Sequence, residues 1–122
     1  MQKIIGEITL NVIKLLDLQL IESTPIYIGD TNIAHMSNNH GYEFNRYYKS
    51  LSTIISAADY VRLKKEDNTI EYVKSYGKHV KLAVRIAGDG NYYARSLYFI
   101  ESKRVENLLK KGDLKPLTIK NL

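Results

Sequence analysis

The stretch HVKLAVRIAGDGNYYARSLYFI, residues 79–100, decides the fold. From His79 to Ala87 the chain alternates: Val80, Leu82, Val84 and Ile86 fall on one side, and His79, Lys81, Ala83 and Arg85 on the other. A period of two belongs to a strand with one buried face. Gly88-Asp89-Gly90-Asn91 concentrates residues that tolerate positive φ and reads as a hairpin turn. Tyr92 to Ile100 then becomes the antiparallel partner strand.

Working outward, Thr69 to Tyr76 is a further strand turned by Gly77, and Tyr60 to Leu63 is a short one closed by the polar turn Lys65-Glu66-Asp67-Asn68. Upstream the period lengthens. Phe44, Tyr47, Tyr48, Leu51, Ile54, Ile55 and Ala58 recur three and four apart, the stripe of an amphipathic helix from about Glu43 to Asp59. Asp30 opens another helix with Ile33 and Met36 as its apolar positions, carrying His35 and His40 and broken at Gly41. Ile26-Tyr27-Ile28 is a short strand, and residues 9–21 read as a short helix, capped by Thr9, that runs into an extended piece. Ser102 caps a last short helix with Val105, Leu108 and Leu109, ended by Lys110, Lys111 and Gly112. The expected fold is α+β: N-terminal helices packed on one face of a four-stranded antiparallel sheet, with a short C-terminal helix. One domain is expected over residues 1–122, with a helical and extended lead-in at 1–24 and the core at 25–117.

A chain of 122 residues, 44% hydrophobic and 25% charged, has ordinary globular composition. With no cysteine, disulfides, thiol nucleophiles and thiolate zinc sites are excluded. No run of about 18 apolar residues is present to span a membrane. The N-terminus meets Glu7 and lacks the apolar segment and cleavage site of a signal peptide, so the expected compartment is the cytoplasm.

Charge is unevenly placed. Residues 1–61 carry four Lys/Arg against six Asp/Glu, net −2, and residues 62–122 carry fourteen against seven, net +7, which gives the chain its +5. A basic half points to an anionic partner, nucleic acid first. Ten of the twelve aromatic residues are tyrosines, which can stack and hydrogen-bond at once. Most of them also suit half-buried strand positions.

Three chemistries compete for this pattern. A metal site is disfavoured: His35 and His40 are five apart, about 140° around a helix, with no paired carboxylate beside them. A phosphate loop at Gly88-Asp89-Gly90 is disfavoured because it joins strands and no helix N-terminus follows. The third is metal-free cleavage of RNA, whose own 2′-hydroxyl is the nucleophile. That reaction needs a base, an acid and donors or cations for the developing charge. The candidates are His35, His40, Lys74, Arg85, Arg95, Ser96 and Tyr98. Lys81 and Arg85 fall opposite the apolar side of their strand. Ser96 and Tyr98, two apart, share a face, and Lys74 could share it with Tyr72. The alternation also admits Ala94, Tyr98 and Ile100 as the buried set.

At this point the residues resemble a known group. Ile26-Tyr27-Ile28-Gly29-Asp30 and Asn32-Ile33-Ala34-His35-Met36, with His40 after them, resemble the opening of the phage-borne barnase–EndoU–colicin–RelE-like nucleases. So do Ala58-Asp59-Tyr60-Val61, Ile70-Glu71-Tyr72-Val73-Lys74, Val80 to Arg85, Tyr93 to Tyr98, Arg104-Val105-Glu106-Asn107 and Lys111-Gly112-Asp113-Leu114. The resemblance spans roughly residues 7–117. It implies a barnase-like fold, a metal-independent ribonuclease without cofactor, and a life in phages or mobile elements as an effector or toxin. Carried over, it implies a site of His35, His40, Lys74, Arg85, Arg95, Ser96 and Tyr98, similar to the EndoU branch, with His35, His40, Lys74, Ser96 and Tyr98 in catalysis; Arg85 and Arg95, with Tyr72 and Lys81 from the strand-face reading, are assigned to RNA. The proline usual after the second histidine is Gly41 here. The implied partners are RNA, a tRNA anticodon loop among the forms it could take, and an antitoxin or immunity protein, with no metal and no membrane. The alternative is a catalytically silent RNA- or protein-binding module on the same fold.

Overall fold

The computed structural model describes residues 2–117. Strand β1 (Gln2–Ile8) and helix α1 (Leu10–Leu15) are followed by β2 (Thr24–Gly29), α2 (Asp30–Asn39), α3 (Gly41–Tyr47), a 3-10 turn (Tyr48–Ser50) and α4 (Leu51–Ser56). The second half holds β3 (Tyr60–Lys64), β4 (Thr69–Tyr76), β5 (Lys78–Ile86), β6 (Tyr92–Ile100), α5 (Ser102–Lys111) and β7 (Leu114–Pro116). All seven strands form one sheet in the order β1-β2-β6-β5-β4-β3-β7. Every pair is antiparallel except β2–β6, which runs parallel over two residue pairs.

This corrects the four-stranded antiparallel sheet expected from sequence. The central meander β3–β6 is there, but β1 and β2 extend it on one side and β7 on the other. The reasons are local. In β1 a bulge between Ile4 and Gly6 breaks the alternation that marks a strand, leaving Ile4 60% exposed and Ile5 buried. Strand β7 is three residues long and carries no period at all. Residues 2–8 of the expected lead-in are therefore part of the sheet. The helices also do not share one face. α1, α3 and α4 bury Val12, Ile13, Phe44, Tyr47, Leu51, Ile54 and Ile55 against Ile26, Ile28, Ile70, Tyr72, Val80, Leu82, Val84, Ala94 and Leu97 on the first face. α5 crosses the opposite face on its way to β7, where Val105 and Leu108 pack on Val73, Ile100 and Leu114. The long helix expected from Glu43 to Asp59 is interrupted by the 3-10 turn at Tyr48–Ser50.

Several ends follow the sequence closely. The Thr9 side chain accepts from the Val12 N–H at the start of α1. Gly112 takes the left-handed conformation, φ 79°, that ends α5. No helix among the described residues is long and apolar enough to cross a membrane.

Candidate functional site

The second sheet face is half covered by α5. The other half is open, and one irregularity in β6 shapes it. Ala83 pairs with Ser96 but Val84 pairs with Ala94, so Arg95 is an extra residue in the strand. The bulge shifts the phase. Ala94 and Leu97, three apart, both bury in the core. Arg95 and Ser96, adjacent in sequence, both line the open face with Tyr98. The bulge rules out Ala94, Tyr98 and Ile100 as one buried set, because that reading needs an unbroken period of two, whereas from Ser96 onward the alternation holds, with Ser96 and Tyr98 on the open face and Leu97 in the core.

The open face holds two adjoining depressions. The smaller, about 150 Å³, is lined by His35, Lys64, Asp67, Thr69, Glu71, Ala83, Arg85, Arg95, Ser96 and Tyr98. The larger, about 900 Å³, is bounded by Gln2, the Gly29–Asn32 turn, Asp89 and Tyr93. His35 and Arg95 line both and form the wall between them.

Helix α2 brings the histidines to this face. Parallel pairing of β2 with β6 stops after Tyr27–Tyr93, and α2 starts there and packs beside β6. Its first turn is fastened by Asn32 Oδ1, which accepts the Gly29 N–H at 2.8 Å, and Met36 anchors it in the core with no exposed surface. His35 is then directed outward. Asn39 Nδ2, one turn on, lies 3.0 Å from its Nδ1. The same nitrogen lies 3.5 Å from Nε2, so Asn39 braces the ring along its edge. His40 is not helical: φ is −140° and ψ 52°, at the junction of α2 and α3. The 140° separation expected of two helical residues therefore does not apply, and His40 stacks on the Tyr98 ring, centroids 5.1 Å apart at 23°.

Beneath these rings lies an ion-pair network that the sequence reading did not single out. Glu71, 3% exposed, accepts from Arg62 at 3.0 Å through Oε1 and meets Lys81 Nζ at 3.2 Å through Oε2. Lys81 Nζ in turn sits 4.6 Å from the centroid of Tyr98. One carboxylate thus fixes the ammonium that abuts the tyrosine, and the tyrosine carries His40. The signal available in the sequence was cross-strand complementarity, since Arg62 and Glu71 are direct partners between β3 and β4. Asp67 holds Arg85 at 3.4 Å. Its carboxyl is kept below the usual carboxylate range first by the hydrogen bond from Thr69 and then by Lys64 and Arg85. In the larger depression Asp89 is likewise held low by the hydroxyl of Tyr93, which donates at 2.7 Å.

Two candidates fall elsewhere. Tyr72 and Lys74 pair with Leu82 and Val80, so they share the first face. Tyr72 is 1% exposed in the core, and burial pushes its phenol well above the ordinary range. Lys74 Nζ donates to Ala57 O at 3.0 Å, at the end of α4. The structure thus gathers His35, His40, Lys81, Arg85, Arg95, Ser96 and Tyr98 on one open face and separates Tyr72 and Lys74 from them. Among the described residues no three His, Cys, Asp or Glu side chains are grouped so as to hold a metal ion.

The chain matches the family model described as phage-Barnase-EndoU-ColicinE5/D-RelE like nuclease 3 over residues 2–107. No curated protein and no solved structure matches it. The matched span runs from β1 into α5 and includes every residue that lines the two depressions, and on that extent of match the chain belongs to the phage-Barnase-EndoU-ColicinE5/D-RelE-like family of nucleases.

Proposed function

We propose that this nuclease cuts RNA without a metal ion, using the 2′-hydroxyl as nucleophile. The observation that carries the reading is the shared wall of the two depressions. His35 and Arg95 form it, with Arg85, Ser96 and Tyr98 beside them in the smaller one. A proton-transferring ring, two guanidinium groups and two hydroxyl donors converge on a space sized for a phosphate. His35 and His40 supply the two proton transfers. One takes the 2′-hydroxyl proton as that oxygen attacks phosphorus, and the other protonates the 5′-oxygen as the P–O5′ bond breaks. The products are a 2′,3′-cyclic phosphate and a free 5′-hydroxyl. Arg85, Arg95 and the Ser96 and Tyr98 hydroxyls meet the charge that builds on the non-bridging oxygens. Lys81, held by Glu71, adds a fixed positive charge behind Tyr98. Tyr72 and Lys74 have no place in this site.

The test is incubation of the purified protein with total RNA in EDTA, with analysis of the product ends. Cleavage leaving cyclic phosphates is expected, and His35→Ala should lower the rate by about a hundredfold or more, the usual scale for a general acid or base. Cleavage that appears only on adding magnesium, or that leaves 5′-phosphates, would overturn the reading.

A further inference from the structure

Away from both depressions, a cluster of rings and cations sits where the β4–β5 turn meets α3. Tyr42, in the first turn of α3, is 66% exposed, and its ring meets Phe99 edge-on at 5.9 Å. Phe99 meets Tyr47 at 5.9 Å, and Tyr47 stacks on Tyr76 at 5.1 Å and 28°. Tyr76, beside the Gly77 turn, is 37% exposed. Three cations lie against these rings: Lys78 Nζ 5.0 Å from Phe99, Lys74 Nζ 5.6 Å from Tyr76, and the Arg46 guanidinium 5.8 Å from Tyr47. Among the described residues none of the three forms an ion pair.

We propose that Tyr42 and Tyr76, with Lys74, Lys78 and Arg46 around them, form a stacking platform for single-stranded RNA that extends beyond the cleavage pocket. The inference rests on the RNA-cleaving reading above and adds a second contact to it. Three features favour a nucleic-acid strand as the occupant. Exposed rings beside cations that form no ion pair among the described residues, Lys74 being held also by Ala57 O, match a polymer that presents flat bases and phosphates in alternation. The surface also adjoins the pocket through the junction of α2 and α3. His40-Gly41-Tyr42 carries one ring to each side of β6, His40 to Tyr98 in the pocket and Tyr42 to Phe99 on the platform. Between them Gly41 carries no side chain, and no atom lies within 4 Å of where a Cβ would stand. Finally, Lys74 is drawn to this surface rather than to the pocket.

The experiment uses 2′-O-methyl oligouridine about twelve nucleotides long, labelled with fluorescein, which lacks the nucleophile and stays intact. Its affinity for the wild-type protein in EDTA is measured by anisotropy beside that of the dinucleotide. Tyr42→Ala and Tyr76→Ala should each weaken the long oligomer about fivefold or more, the lower end of base–aromatic stacking. The dinucleotide should change much less. Tyr42→Leu should match Tyr42→Ala, and Tyr42→Phe should bind as wild type. If Tyr42→Leu binds as well as Tyr42→Phe, or if the alanine variants bind as wild type, the platform is overturned. Where wild-type protein still cuts total RNA, that result removes the platform alone. Where wild-type protein neither cuts RNA nor binds the oligomer, both readings fall.

Discussion

Glu71 is the residue on which the open face depends. Its carboxylate is almost out of solvent and is shared by Arg62 and Lys81, whose side chains are 15% and 11% exposed. Removing it leaves two cations in a half-dry site with no counter-charge. Glu71→Gln keeps the shape and removes the charge, and it should cost about 3 kcal/mol, read from urea unfolding. A loss under about 1 kcal/mol would mean that water already serves the two cations. Tyr72, the next residue, faces the other way and makes the opposite case. Its hydroxyl is buried, and no partner for it is found among the described residues. An unsatisfied hydroxyl costs free energy to bury. Tyr72→Phe should therefore raise stability by about 1 kcal/mol, and RNA cleavage should be unchanged because the ring lies behind the sheet. A destabilised Phe variant would show that the hydroxyl has found a partner in solution.

At the scale of elements, α2 and β6 make the site together, and each was legible in a different degree. The sequence places β4 at Thr69–Tyr76 and β6 at Tyr92–Ile100, as observed, because turn residues bound both. It does not place the bulge at Arg95, which no local pattern announces. Strand β4 misled for another reason. Thr69 to Val73 is buried on both faces, so the burial pattern offers no parity. Only the register across the Gly77 turn, with Tyr76 opposite Lys78, puts Lys74 opposite Val80 and thereby on the core side. His35, Arg85, Ser96 and Tyr98 were reachable because each sits in a stretch with a clear period or a motif. Arg62 and Glu71 were not, because an ion pair between strands is visible only once those strands are paired. The dependence of the histidines on α2 can be measured. Met36 is the one residue of that helix that is fully buried. Met36→Ala should cost about 2–5 kcal/mol. At a temperature where the variant stays folded, activity should still fall, since the helix that aims His35 has lost its anchor. Activity equal to wild type in the folded variant would show that the Asn32 cap and the β6 packing hold α2 unaided.

For the whole molecule, the basic half of the sequence becomes most of the sheet. The basic half supplies β3 through β7, so Lys64, Lys81, Arg85 and Arg95 converge on the open face while α5 presents Lys103, Arg104, Lys110 and Lys111 to solvent beyond it. Within the pocket Glu71 and Asp67 neutralise part of that charge, so the cation left least engaged there is Arg95, which appears in none of the ion pairs among the described residues. A phosphate seated at the shared wall would be neutralised by Arg95 and would release its condensed counterion to solvent. Each phosphate neutralised on a single strand contributes about 0.7 to the slope of log affinity against log salt. Arg95→Ala should therefore weaken binding of uncleavable oligouridine and flatten that slope by about 0.7, with similar losses on other base sequences. Arg85→Ala, whose guanidinium already meets Asp67, should flatten it less. If Arg95→Ala weakens binding with the slope intact, Arg95 is contacting a base edge or bracing His35, and the phosphate must be placed elsewhere on the face.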